Sequence, residues 1–151
     1  MSSPRTRLAL ILSFVAAAFA GGRAGSLSAH ESIAAKSVWD SVYSTAQAGR
    51  GETAYANTCA RCHGASLGGG DESPALTGGN FLGNWNGLPL SELQTRIKTT
   101  MPSDSVGVYD IKLVTDVMAF LLKSNGFPAG QLELSAQTDS LKEIMVKTSR
   151  P

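Results

Sequence analysis

Cys59-Ala60-Arg61-Cys62-His63 is the stretch on which the reading of this chain turns. Two thiols separated by two residues and followed at once by an imidazole form the C-x-x-C-H signature of covalent haem attachment. The thiols can form thioethers with the porphyrin vinyls, and His63 can offer the iron a nitrogen ligand. These are the only 2 cysteines in the chain, and His63 is one of 2 histidines. The competing readings are weaker. In an oxidising compartment two nearby thiols can pair, or form a thioredoxin-like centre, but such a centre follows a strand, and nothing before Cys59 reads as a buried strand. A structural zinc site would need further soft ligands, and there is no second cysteine pair.

The N-terminus carries its own signal. Arg5 and Arg7 form a positive region, Leu8 to Ala20 is apolar, and Ala18-Phe19-Ala20 fits the small-x-small cleavage rule of an export leader. The expected leader is residues 1–20, with cleavage as late as Ser26 also compatible. The run is short for a span, which takes about 20 apolar residues, so a retained anchor is the alternative reading. The expected location is the periplasm or another exported compartment. Of the 13 basic residues, Arg5 and Arg7 leave with the leader, so 11 face 12 acidic ones and the mature formal charge is −1. There is no basic run to bind nucleic acid.

Working outward, residues 21–36 are rich in Gly, Ser and Ala and read as a flexible linker containing His30, a poor place for an iron ligand. A domain is expected over residues 37–130, beginning with a docking segment that carries Val38, Trp39, Val42 and Tyr43. Thr45 is expected to cap a helix from Ala46 to about Thr58, on which Gly51 and Tyr55 share a face that leads to Cys59. Gly64 to Gly70 reads as a loop. Ser91 and Gln94 suggest a capping box that opens a second helix with Leu93 and Ile97 inward, and Pro102 ends it after Met101. A third helix is expected from about Tyr109 to Ser124, with Ile111, Val114, Val117, Met118, Leu121 and Leu122 on its apolar face, stopped by Asn125-Gly126. Residues 131–151 form a tail with a short helix over Asp139 to Val146, expected to pack back on the domain. No segment alternates with period two, so the domain reads as all-α with long loops.

One histidine leaves a sixth iron position to fill or to use. Met1 leaves with the leader, Met145 lies in the tail, and Met118 sits mid-helix among aliphatic residues, where it reads as core. Met101 follows a helix on a loop stiffened by proline. The 37 residues between His63 and Met101 are enough to round a porphyrin edge. A His63/Met101 pair would fill both axial positions, and its soft thioether would favour ferrous iron.

With these residues in place the chain resembles the class I c-type cytochromes, in their short bacterial mono-haem form. The match runs over roughly residues 46–127. Gly51, Tyr55, Cys59, Cys62, His63, Pro74, Leu76, Met101-Pro102 and Phe120 fall in the family's order. The resemblance implies a cytochrome c fold of three main helices and long loops wrapped around one covalently bound haem. It implies that the first and last helices cross near Gly51, with Tyr55 and Phe120 packed around the crossing. It also implies that the Pro74 carbonyl accepts the Nδ1 hydrogen of His63 and that Leu76 packs on the porphyrin. Trp85 is a candidate donor to a haem propionate, because indole N–H groups usually find a partner, though it also reads as rim packing. Arg96 reads as an exposed helix-face residue. The Asn84-Trp85 loop, Thr100-Met101-Pro102 and Asn125-Gly126-Phe127-Pro128 are similar to cytochrome modules that accompany quinoprotein dehydrogenases.

Two functions compete. One is an exported electron carrier and not an enzyme, fed by a dehydrogenase that the resemblance suggests is a quinoprotein, and drained by an oxidase or another cytochrome. It would meet a membrane only if the leader were retained. The other is a haem-containing subunit or enzyme with a labile sixth ligand, such as a peroxidase or part of a sulfur- or alcohol-oxidising complex. That would need acid–base groups near the iron. Asp71 and Glu72 are near in sequence but lie in a Gly-rich loop, where paired acids are usually solvated.

Overall fold

The computed structural model describes residues 36–71 and 73–150. The leader, the linker up to residue 35 with His30, Glu72 and Pro151 lie outside the described residues. The chain runs β1 (Lys36–Ser37), α1 (Thr45–Thr58), α2 (Ala60–His63), α3 (Gly78–Trp85), α4 (Leu90–Thr100), α5 (Ile111–Ser124), α6 (Thr138–Leu141) and β2 (Ile144–Met145). The all-α expectation holds: the two strands are two residues each and pair in parallel, Lys36 with Ile144 and Ser37 with Met145. Among the described residues no helix is long and apolar enough to cross a membrane.

α1 begins one residue before the expected start. Ser44 rather than Thr45 is its N-cap, and the Ser44 hydroxyl accepts the Gln47 amide hydrogen at 3.1 Å, a contact worth ~1 kcal/mol. Its buried face is Gln47, Ala48, Gly51 and Tyr55, three to four residues apart as a one-sided helix requires. α5 starts at Ile111 instead of Tyr109, because the Asp110 carboxylate accepts the Leu113 amide hydrogen at 2.8 Å and sets the cap there. Every residue from Val114 to Leu122 is buried, so this helix is the spine of the core.

The two helices cross at Gly51. A Cβ there would lie 1.8 Å from the Asp116 carbonyl oxygen and 3.0 Å from the Phe120 Cβ, so only glycine permits the approach. One turn on, the Tyr55 and Phe120 rings pack at 5.3 Å, tilted by 49°. The crossing is bound on its polar side too. Arg50 donates two hydrogen bonds to the Asp116 carboxylate, at 3.0 and 3.1 Å, and Lys112 donates a third at 3.0 Å.

The capping box expected at the second long helix is not formed. α4 starts one residue earlier, at Leu90 after Pro89, and Ser91 is buried within its first turn. Gln94 turns inward instead. Its amide donates to Thr115 Oγ1 at 3.1 Å and to the Ala136 carbonyl at 3.2 Å, and its oxygen accepts from Thr138 Oγ1 at 2.7 Å. A buried amide with these partners is better satisfied by the tail than by its own helix end.

α3 departs from the sequence reading, which has Asn84-Trp85 in a loop, whereas both lie in the last turn of this helix. Gly78-Gly79 and Gly83 are poor helix formers, and the helix forms because Phe81, Leu82 and Trp85 pack against the core. The expected helix over Asp139 to Val146 is only partly realised. It stops at Leu141, and Ile144-Met145 turns into strand to pair with the start of the domain.

The tail packs back as expected. Leu134, Leu141, Ile144 and Val146 are all buried. Val146 exchanges backbone hydrogen bonds with the α3–α4 turn: its amide donates to the Leu88 carbonyl at 2.9 Å and its carbonyl accepts from Gly87 at 2.8 Å. Trp39 donates its indole hydrogen to the Lys147 carbonyl at 2.9 Å and packs edge-on against Phe127. Tyr43, also in the docking segment, donates to the Phe127 carbonyl at 2.6 Å. The tail thus straps the N-terminal segment to the turn that joins α3 and α4.

Candidate functional site

A cavity of about 500 Å³ opens between α2, α3, α4 and α5. All seven residues singled out as site candidates line it: Cys59, Cys62, His63, Pro74, Leu76, Trp85 and Met101.

Cys59 closes α1, its amide bonded to the Tyr55 carbonyl at 2.9 Å, and α2 follows as a single turn carrying Cys62 and His63. In that turn the Cys59 carbonyl accepts from His63 at 3.0 Å, which brings the imidazole and both thiols to one edge of the cavity. Neither thiol is in a disulfide. Burial pushes the Cys59 thiol above its ordinary pKa, which keeps it protonated near neutrality.

The imidazole is fixed by its environment. His63 is 9% exposed, and its Nδ1 lies 2.8 Å from the Pro74 carbonyl oxygen. A carbonyl can only accept, so Nδ1 carries a hydrogen, and in the neutral ring Nε2 is then the nitrogen with the lone pair. The loop that presents Pro74 depends on Gly69, which sits at φ +77 and bonds its amide to the His63 carbonyl at 2.9 Å. A Cβ at Gly69 would stand 2.5 Å from the Ser73 carbonyl oxygen and 2.8 Å from the Pro74 carbonyl carbon. Tyr55 holds the start of the same loop by donating to the Gly64 carbonyl at 2.7 Å, and burial pushes its phenol up to about 12.

Met101 arrives from another element. α4 ends at Thr100, and Met101, at φ −123 and ψ 146, takes the extended conformation that a following proline imposes. It is half-buried on the cavity wall, whereas Met118 is wholly buried in α5 and does not line the cavity. Met145 is in β2.

Leu76 is half-buried, with its carbonyl held by the Asn125 side chain at 3.0 Å. Trp85 packs on Phe81 at 6.3 Å between ring centres and lines the cavity. Arg96 lies exposed at the rim, and Asp71 is exposed outside the cavity. Leu93, Ile97, Val114, Val117 and Leu121 complete an apolar wall. Two thiols, an imidazole with a free Nε2 and a thioether around such a wall are a donor set that fits haem c. A bare metal ion is served less well: among the described residues no three His, Cys, Asp or Glu side chains cluster together.

Residues 46–121 match the family described as cytochrome c oxidase, cbb3-type, subunit III. The chain belongs to this family of class I c-type cytochromes. It is a haem-binding electron-transfer protein. No curated protein matches this cytochrome. Among solved structures it is similar to the sulfane dehydrogenase SoxCD from Paracoccus pantotrophus, with a TM-score of 0.51 and 22% identity over 72% of this chain and 61% of that one. At that identity the likeness is one of fold, and the cytochrome spans about three fifths of the SoxCD chain it matches.

Some of the cytochrome's site was not legible in advance. In the sequence Gly69 is one glycine of the Gly64 to Gly70 loop, and only the structure shows that it needs a φ of +77. Arg61 and Asp104, joined across the rim at 2.5 Å, carried no sequence signal, since 43 positions separate them. Asn125 is a helix stop in the sequence, and in the structure it also supports Leu76 and, through its Oδ1, accepts from the Gly78 amide at 3.1 Å.

Proposed function

We propose that this cytochrome is a mono-haem, exported electron carrier in which Cys59 and Cys62 hold the haem covalently and His63 and Met101 are its axial ligands. The observation that carries this reading is that Met101, from the end of α4, lines the same cavity as the two thiols and the Pro74-anchored imidazole. The haem supplies a one-electron centre, ferric or ferrous. The chain's residues set its surroundings. The Pro74 carbonyl orients His63 and makes its Nε2 a stronger donor. The Met101 thioether would favour the ferrous state, and with His63 it would supply the second ligand to the iron. The apolar wall excludes water. Trp85, on the cavity lining, is the candidate donor to a propionate.

The chemistry around the cavity favours a carrier over a catalyst. The carboxylate among its described lining residues is Asp104, and Arg61 holds it. Among the described lining residues it is the one carboxylate, so no paired carboxylates are available for acid–base work. Export follows from the leader-like residues 1–20. A dehydrogenase donor, a quinoprotein by the finer resemblance, and an oxidase or cytochrome acceptor are the proposed partners. Reduction kinetics with candidate dehydrogenases would test them.

The central experiment replaces Met101 and Met118 with alanine one at a time. Met101→Ala loses the near-infrared sulfur-to-iron band of the oxidised protein and lowers its midpoint potential, and Met118→Ala keeps the band. The reverse outcome, or a high-spin ferric wild type, overturns the axial assignment.

A further inference from the structure

The segment Met101–Asp110, between α4 and α5, carries the proposed sixth ligand and has little structure of its own. Its internal hydrogen bonds are two turn contacts, Ser105 to the Pro102 carbonyl at 3.0 Å and Val108 to the Ser105 carbonyl at 3.3 Å. Two side chains tie it down. Lys98, in the last turn of α4, donates to the carbonyls of Gly107 (2.8 Å) and Tyr109 and holds the returning half of the loop. The leading half is held by Arg61, whose Nη2 meets Asp104 Oδ2 at 2.5 Å. Among the described residues this is the one side-chain hydrogen bond between the loop and α2.

The position of that pair is specific. Arg61 lies between Cys59 and Cys62, on the turn that the haem would fix covalently, and Asp104 is three residues beyond Met101. Both line the cavity rim, so the pair joins the part of the chain bearing His63 to the part bearing Met101. Both side chains are more than half exposed, at 57% and 56%, which makes the bond one that salt screens and that opens readily.

We infer that Arg61 and Asp104 form a salt-sensitive clasp across the cavity mouth that holds the Met101 loop closed and so sets how fast a competing ligand takes the sixth iron position. The inference rests on the His63/Met101 reading above. The exchange is a substitution without electron transfer: an imidazole nitrogen bonds to the iron as the Met101 sulfur leaves, and Met101 keeps its lone pair. Arg61 and Asp104 are positioning residues, acting on the iron only through the loop.

The test uses oxidised full-chain holoprotein and free imidazole, following loss of the near-infrared sulfur band. At low ionic strength Asp104→Asn and Arg61→Gln are expected to react about three- to fivefold faster than wild type, the range an exposed ion pair can supply. The double variant is expected to be no faster than either single one, because both remove the same contact. In about 1 M salt, where the screening length is ~3 Å, the wild type approaches the variants. Lys123→Gln, which breaks the exposed Lys123–Glu52 pair away from the cavity, leaves the rate unchanged. Unchanged rates in both single variants, additive effects in the double, or equal acceleration by Lys123→Gln overturn the clasp while leaving the axial assignment standing. A wild type that lacks the sulfur band from the outset overturns the axial assignment and the clasp with it.

Discussion

His63 donates its Nδ1 hydrogen to the carbonyl oxygen of Pro74 across 2.8 Å, and the loop that places this carbonyl passes through Gly69 at φ +77. In the proposed site this bond would leave Nε2 to meet the iron and raise its basicity, which would favour ferric iron. Gly69→Ala would push Pro74 away, since the new Cβ would lie 2.8 Å from the Pro74 carbonyl carbon. The expected result is a higher midpoint potential with haem still attached, measured by redox titration. An unchanged potential in folded Gly69→Ala protein would show that the bond does not tune the iron.

Gly51 and Gly49 lie on opposite faces of α1 and should respond in opposite directions. At Gly51 a Cβ would meet the Asp116 carbonyl oxygen at 1.8 Å, and at Gly49 it would meet nothing within 4 Å. Gly51→Ala is expected to lose ~3 kcal/mol or more by forcing the crossing apart. Gly49→Ala should gain ~0.5–1 kcal/mol from helix propensity. Denaturant midpoints of the two variants decide it.

Asp116 links stability to acid pH. Burial raises its carboxyl pKa, but the hydrogen bonds from Arg50 and Lys112 outweigh burial and leave it below the ordinary 3.8. Its contribution is present above pH 3.8 and is lost as pH falls through the lower folded value. Asp116→Asn should cost ~1.5–3 kcal/mol at neutral pH and flatten the acid limb of the stability profile. An acid limb identical to wild type would contradict the assignment.

Tyr55 acts at the other end of the scale. Burial raises its phenol from 10.0 to about 12, so the unfolded chain releases this proton first. Its contribution is complete below pH 10.0 and declines as pH rises toward about 12. Tyr55→Phe should remove part of that alkaline decline and lose ~1 kcal/mol near neutrality with the Gly64 hydrogen bond. Unfolding midpoints across alkaline pH check both effects.

The tail should matter to the cavity although it lies beyond the matched residues 46–121. Leu141 is fully buried, and Leu141→Ala is expected to cost ~2–5 kcal/mol. Amide exchange at Gly87 and Val146 should accelerate in that variant, since their hydrogen bonds join the tail to the α3–α4 turn. Unchanged exchange at both would mean that the turn stands without the strap.

Where sequence and structure agree, the reasons are local. Cys59, Cys62 and His63 share a helical turn, and adjacency alone puts their side chains together. α1 and α5 carry their own caps and apolar faces, and Pro102 ends α4 by its sterics. The disagreements have a common cause as well. Gln94 looked like a cap partner and is a buried link to the tail, because Thr115, Ala136 and Thr138 offered it better partners. α3 is helical against its glycines because its apolar residues gain more from the core than its backbone loses in entropy.

The same division runs through the cytochrome as a whole. The sequence by itself determined the haem-attachment turn, the helical class and Met101 as the candidate ligand, since each rests on covalent spacing or on the conformational limits of a few neighbouring residues. Only the tertiary structure decided that Met101 rather than Met118 reaches the cavity, that Gly69 aims the Pro74 carbonyl at His63, and that Arg61 meets Asp104 across the rim. Those contacts join positions far apart in the chain, and their partners are chosen by how α1 and α5 cross and how the loops close over the core.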